Sequence, residues 1–178
     1  MRQFFKNHPM ISYNNQQMRN LLVSAQLTRQ ILDDTTSFLP YTVQEGETPT
    51  TIAFDYYGHV DYTWLVLFSN HTIDVYTDWP KTQEQFNEYI LKQYSFTTLQ
   101  PAFSTIHHYV DPSDPTYPLV TPTTYQFLDP SNPLKARLRP VSIYDHEMQL
   151  NEAKRAIVLV DKVYAARIAL ELEKKLSA

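Results

Sequence analysis

Eight of the chain's twelve prolines fall between residues 95 and 140, and none follows Pro140. Proline lacks a backbone N–H and fixes φ, so this stretch cannot form a long helix and can join sheets only at edges or in short pieces. Its Ile106, Tyr109, Val110, Leu119, Val120, Tyr125, Phe127 and Leu128 are nevertheless too apolar for a free linker. Residues 95–140 are therefore expected as short extended segments and small hairpins that order against something else. Beyond Pro140 the constraint reverses. Residues 141–178 contain neither proline nor glycine, Ser142 and Asp145 stand at capping-box spacing, and Leu150, Ala153, Ile157, Val160, Tyr164 and Ile168 form a helical stripe. The spacing predicts one helix of about 34 residues, about 50 Å long at 1.5 Å per residue. Within it "AIVLV" (156–160) is apolar all round, which calls for burial on several sides. Such a helix overhangs any domain this chain can build, so its far end is expected to be covered by another chain.

The two glycines, Gly46 and Gly58, both lie in "YTVQEGETPTTIAFDYYGHVDYTWLVLFSN" (41–70). Tyr41-Thr42-Val43 reads as a strand. Thr48 is a good N-cap with Pro49 at the first helical position, Ile52, Ala53 and Tyr56 share a face, and Gly58 is a left-handed stop. Asp61 caps a second short helix that ends at Asn70, and "TIDVY" (72–76) reads as a returning strand. Asp78-Trp79-Pro80 then breaks the chain. Thr82 and Gln85 open a further helix, with Phe86, Tyr89 and Ile90 on one side, that finishes near Tyr94. Ahead of all this, Met18, Leu21, Leu22, Ala25, Ile31 and Leu32 predict an amphipathic helix over 14–34 behind an irregular arm. The expected fold is α+β in four segments: arm and helix (1–40), a small βααβ domain with its following helix (41–94), a proline-rich extended arm (95–140) and a long terminal helix (141–178).

Several chemistries are excluded on composition. There are no cysteines, so neither a disulfide scaffold nor a thiolate metal site is expected. A net charge of −4 argues against nucleic acid, no stretch approaches a membrane span, and residues 1–17 lack the apolar run of a signal peptide. Residues 41–94 carry eight acids against Lys81 and Lys92, a local −6, as on a solvated face or one that meets a basic partner. Adjacent residues on a strand point to opposite faces, so His107 and His108 are not expected to share a metal without a bend; His8, His59, His71 and His146 are scattered singly. No carboxylate pair, serine motif or phosphate-binding glycine loop points to catalysis, and neither an enzyme, a cofactor nor a small-molecule substrate is expected. Trp64 lies in "TWLVLF" and is expected in the core of the small domain, while Trp79 could pack the next helix or anchor a partner.

Tyr41, Val43, Gly46-Glu47-Thr48, Ile52-Ala53 and Asn70 resemble a LysM module, with a Tyr-x-Val strand, a Gly-Asp-Thr turn, an Ile-Ala helix and a closing Asn. The resemblance implies a LysM-like core of Tyr41, Val43, Ile52, Ala53, Trp64, Leu67 and Asn70. Glu47 replaces the usual Asp, and the Gly-x-x-Leu-x-Ile-Pro close is missing, which counts against the alternative reading, a module binding peptidoglycan or chitin. More of the chain, about residues 10 to 170, is similar to the LysM-domain baseplate wedge proteins of contractile-tailed bacteriophages. "YYGHVDYTWLVLFSN", "DWP", "ILKQY" and the pattern Glu147, Asn151, Glu152, Lys154, Arg155 carry that resemblance. It implies a structural virion subunit, assembled in the host cytoplasm, that joins neighbouring wedges around the tail tube with sixfold symmetry and touches other wedge proteins. Tyr57, Trp79, Glu147, Asn151, Arg155, Ile157, Tyr164 and Ile168 are the expected partner contacts.

Overall fold

The computed structural model describes residues 9–13, 15–20 and 38–177 and mixes helix with strand, the expected α+β class. The strands are β1 Met10–Tyr13, β2 Gln16–Arg19, β3 Phe38–Thr42, β4 Ile106–Val110, β5 Arg139–Ser142 and β6 Ala156–Val160. The helices are α1 Pro49–Tyr57, α2 Thr63–Ser69, α3 Val75–Asp78, α4 Gln83–Gln93, α5 Gln100–Ser104, α6 Pro122–Phe127, α7 Pro133–Arg137, α8 Ile143–Ala153 and α9 Lys162–Ser177. A 3-10 turn, Val60–Tyr62, leads into α2. These elements form two compact units. One runs to Trp79 and resumes at Arg155; the other is Pro80–Lys154, inserted in sequence between the two halves of the first.

In the first unit the expected long terminal helix is absent, and "AIVLV" is the reason. Its β-branched residues suit a pleated, buried ladder better than a helix interior. Helix α8 stops at Lys154, the run becomes β6, and the helix restarts as α9. Strand β6 pairs antiparallel with β3, Tyr41 opposite Ile157 and Pro40 opposite Val158. The strand expected at 72–76 does not form. Asp74 caps the single turn α3 there, and the strand that closes the βααβ order comes from 156–160. Antiparallel ladders alternate inward- and outward-facing backbone groups. Val158 turns its own outward: its N–H donates to Asn70 Oδ1 and its carbonyl accepts from Asn70 Nδ2, both at 2.8 Å. Pro40, facing that position, loses nothing by lacking an N–H.

The helices of this unit begin and end as their local signals require. The Thr48 hydroxyl accepts the Thr51 N–H, Pro49 opens α1, and Gly58 closes it at φ 81°. The core has two clusters. Val43, Ile52, Ala53, Val66, Trp79, Ile157 and Leu159 make the first; Leu65, Val160, Ala165 and Ile168 make the second, with Trp64 half-buried against it. Near the N-terminus β1 and β2 form a hairpin with Tyr13 paired to Gln16, so the connection is two residues long, and Asn15 takes φ 61°. Asparagine tolerates that left-handed backbone, as tight hairpin turns demand. A strand therefore occupies 16–19, inside the expected 14–34 helix; the part over 21–34 lies outside the described residues.

The Asn70 amide also donates to the Val66 carbonyl at 2.8 Å, so one side chain satisfies three backbone groups. Leaving a buried backbone group without its partner costs about 1–3 kcal/mol. Asn70→Ala is expected to destabilise the first unit by about 2–4 kcal/mol in urea denaturation. Asn70→Asp should not restore it, because a carboxylate there faces two carbonyl oxygens. Full stability in either variant would refute the bridge.

The second unit shows what the prolines do. Pro101, Pro122 and Pro133 each sit in the first turn of a short helix, where the missing N–H is harmless. Thr121 and Asn132 cap the last two, their side chains accepting the N–H of Thr124 and Leu134. The 95–140 segment thus combines three short helices with β4, which pairs with β5 and bridges to Val120 through Tyr109, where only extended pieces were expected. It orders against its own unit. Phe86 and Ile90 from α4 pack with Ala102 from α5 and Ile143 from α8, and Tyr109 stacks on Tyr125 at 3.9 Å. Asp111 is held by the Ser113 hydroxyl at 2.5 Å and by Arg137 at 3.1 Å.

Candidate functional site

All eight residues expected to meet a partner have contacts inside their own unit. Trp79 is 6% exposed, and its indole N–H donates to the Glu47 carbonyl at 2.8 Å. The Tyr57 hydroxyl donates to the Val160 carbonyl at 2.9 Å, and burial pushes its pKa up. Ile157 and Ile168 are core residues of the two clusters. Arg155 pairs with Glu45 at 2.6 Å and donates to the Val43 carbonyl at 3.3 Å, pinning the end of β6 beside β3. In the other unit Asn151 is buried and clamps the Lys81 backbone, accepting its N–H at 2.8 Å and donating to its carbonyl at 3.1 Å. Glu147 accepts the Tyr94 hydroxyl at 2.7 Å and the Tyr89 hydroxyl at 3.3 Å. Burial, reinforced by that carboxylate, raises the Tyr94 phenol to about 12. Tyr164, the eighth, is half-buried against the second cluster. Glu147 and Asn151 thus bind groups of the second unit, and Arg155 binds groups of the first.

The residues that the LysM resemblance singled out lie in or beside the first core cluster and α2. Val43, Ile52 and Ala53 are fully buried, Tyr41 packs on their cluster, and Trp64, Leu67 and Asn70 are half-buried. Glu47, at the position where the resemblance has Asp, accepts the Tyr41 hydroxyl at 2.9 Å and the Gln44 N–H at 2.7 Å. Burial first, then that hydrogen bond, pushes the Tyr41 phenol up to about 12.

What faces outward is different from what the sequence singled out. Ile73, just ahead of α3, is 96% exposed, and Tyr76, within that single turn, is 88% exposed. The backbone there is held by side-chain hydrogen bonds. Asp78 Oδ2 accepts the N–H of both Ile73 and Asp74 at 3.0 Å, and Asp74 Oδ1 accepts the Tyr76 N–H at 2.9 Å. Two apolar side chains are thus presented on a preorganised loop rimmed by Asp74 and Asp78. The alternation in "TIDVY" read as a strand; the two aspartates four residues apart, each able to cap backbone N–H groups, are the signal that reads as a turn.

In the second unit a register shift in the β4–β5 pairing falls between Ile106 and His108. A bulge of this kind leaves one extra residue in β4 and re-aims its side chains. It supplies the bend that two neighbouring histidines need to converge. His107 Nδ1 lies 2.8 Å from His108 Nδ1, and His146, from the second turn of α8, stacks on His107 at 4.0 Å and 10°. Burial holds His107 and His108 below the ordinary imidazole pKa, with the neighbouring histidines adding to the effect. The expectation that His146 stands alone and that His107 and His108 diverge is overturned.

Residues 2–123, 122 of the 178, match the model of the family described as base plate wedge protein 53. No curated protein matches the chain. Among the described residues no helix is long and apolar enough to cross a membrane.

Proposed function

This chain belongs to the base plate wedge protein 53 family, and on that premise we propose that it joins neighbouring wedges of a phage tail baseplate by surface contact alone. The role is structural, and its place is the virion tail. The partners are other baseplate proteins, arranged with sixfold symmetry around the tube of a contractile tail. The βααβ order of β3, α1, α2 and β6 supports reading the first unit as LysM-like, with the module serving as a protein-contact shape. Glycan binding is not favoured, since Trp79 has no free face to stack on a sugar ring.

The observation that carries the contact reading is the exposed pair Ile73 and Tyr76 on a hydrogen-bonded turn. Large apolar side chains carried on a backbone already fixed by hydrogen bonds cost less ordering of the chain on docking, which suits an interface anchor. Asp74, Asp78 and the local −6 of residues 41–94 suit a partner with an apolar socket and a basic rim. Co-sedimentation with purified wedge components tests this. The unaltered chain should co-assemble. Ile73→Asp with Tyr76→Asp should keep the native circular dichroism and lose co-assembly by at least about tenfold, as removal of two anchors implies. Undiminished co-assembly of that variant would overturn the assignment of this turn.

A further inference from the structure

We propose that His107, His108 and His146 form a binding site for one divalent transition-metal cation of the zinc type. One nitrogen from each ring lies within 4.8 Å of the others. The His108 ring stands edge-on to the stacked pair, 5.1 Å from His107 and 5.2 Å from His146, so each ring neighbours the other two. Imidazole nitrogens on a tetrahedral zinc at about 2.0–2.1 Å are about 3.3 Å apart. The 2.8 Å His107–His108 pair brackets that spacing from below and the 4.8 Å limit from above, and modest ring rotations close the difference.

The chemistry of the trio selects the ion. Three nitrogen donors without a carboxylate among them suit zinc, copper or nickel and not magnesium or calcium. Three protein ligands leave a fourth position for water. His107 and His108 belong to the bulge of β4 and His146 to α8, so a bound cation ties that strand to that helix within the second unit. The bulge is what makes this possible. A regular strand would send the two adjacent rings to opposite faces, and here both meet the same helix.

The test uses the full chain free of any histidine tag. Equilibrium dialysis against zinc should give one ion per chain, with a rise in Tm by linkage. Cobalt in place of zinc should give visible ligand-field absorption. His107 is exposed and His146 half-buried, so His107→Ala and His146→Ala are expected to fold, checked by circular dichroism. Each should weaken zinc binding at least tenfold, whereas His59→Ala should not. If His146→Ala disturbs α8, His146→Gln is read in its place. The proposal is overturned if the unaltered chain shows no saturable one-to-one binding. It is equally overturned if either folded variant binds zinc less than tenfold more weakly.

Discussion

A chain that ends at Lys154 is expected to lose the fold of its first unit while the second keeps its own. The cut removes β6 and α9, which supply Ile157 and Leu159 to one core cluster and Val160, Ala165 and Ile168 to the other. Burying four large aliphatic side chains contributes about 6–12 kcal/mol at about 1.5–3 each. A small domain's whole stability is about 5–15 kcal/mol. The cut also strips the partner from β3, the acceptor from Tyr57 and the backbone that Asn70 bridges. Residues 38–79 would be left with one unpaired strand and three short helices, too little surface to bury alone. Both tryptophans, Trp64 and Trp79, belong to this unit, so their fluorescence reports on it selectively. The truncated chain should show red-shifted emission and no cooperative tryptophan transition in urea. Native emission would mean that 41–79 is self-sufficient, as the sequence pattern alone suggested.

That suggestion fails for a physical reason. Signals that act within one turn were legible: Thr48 with Pro49, Gly58, Thr82 with Gln85, and Ser142 all stand where the caps are. The α+β class and the shared face of Ile52 and Ala53 followed from the same local logic, while Val43 entered the expected core through the LysM resemblance. Strand pairing carries no such local mark. β3 finds its partner more than a hundred residues away, and nothing at 72–76 announces that the nearer apolar run is not the partner. In the terminal stretch a short apolar run satisfied helical and extended spacing equally, with no glycine or proline at Lys154 to break the tie. Two further misses were of application. The Thr-Pro signature read at 48–49 recurs at Thr121-Pro122, yet density of proline suggested extension there. The Asn14-Asn15 pair is a tight-turn signal, and helical spacing of the residues after it took precedence. The histidine site depended on a bulge, a feature of pairing that no spacing rule encodes.

Phe86→Ala is expected to give the complementary result, destabilising the second unit and sparing the first. Phe86 is 1% exposed, packs with Ile90, Ala102 and Ile143, and meets the Tyr144 ring edge-on at 5.3 Å. Truncating a buried phenylalanine costs about 3–5 kcal/mol, the lost transfer energy plus the cavity left behind. The Pro80–Lys154 unit has 75 residues, and at 0.05–0.15 kcal/mol per residue its stability is about 4–11 kcal/mol. The substitution therefore removes a large share of it. Hydrogen exchange should show amides of α4 and α8 losing protection by about two to four orders of magnitude, the factor that 3–5 kcal/mol implies. Tryptophan fluorescence and its urea midpoint should stay as in the unaltered chain, because no residue of either first-unit cluster lies between 80 and 154. The pairing of the two experiments is what decides the architecture. If Phe86→Ala lowers the tryptophan midpoint as much as it lowers α4 protection, the chain folds as one cooperative body and the division into two units is wrong.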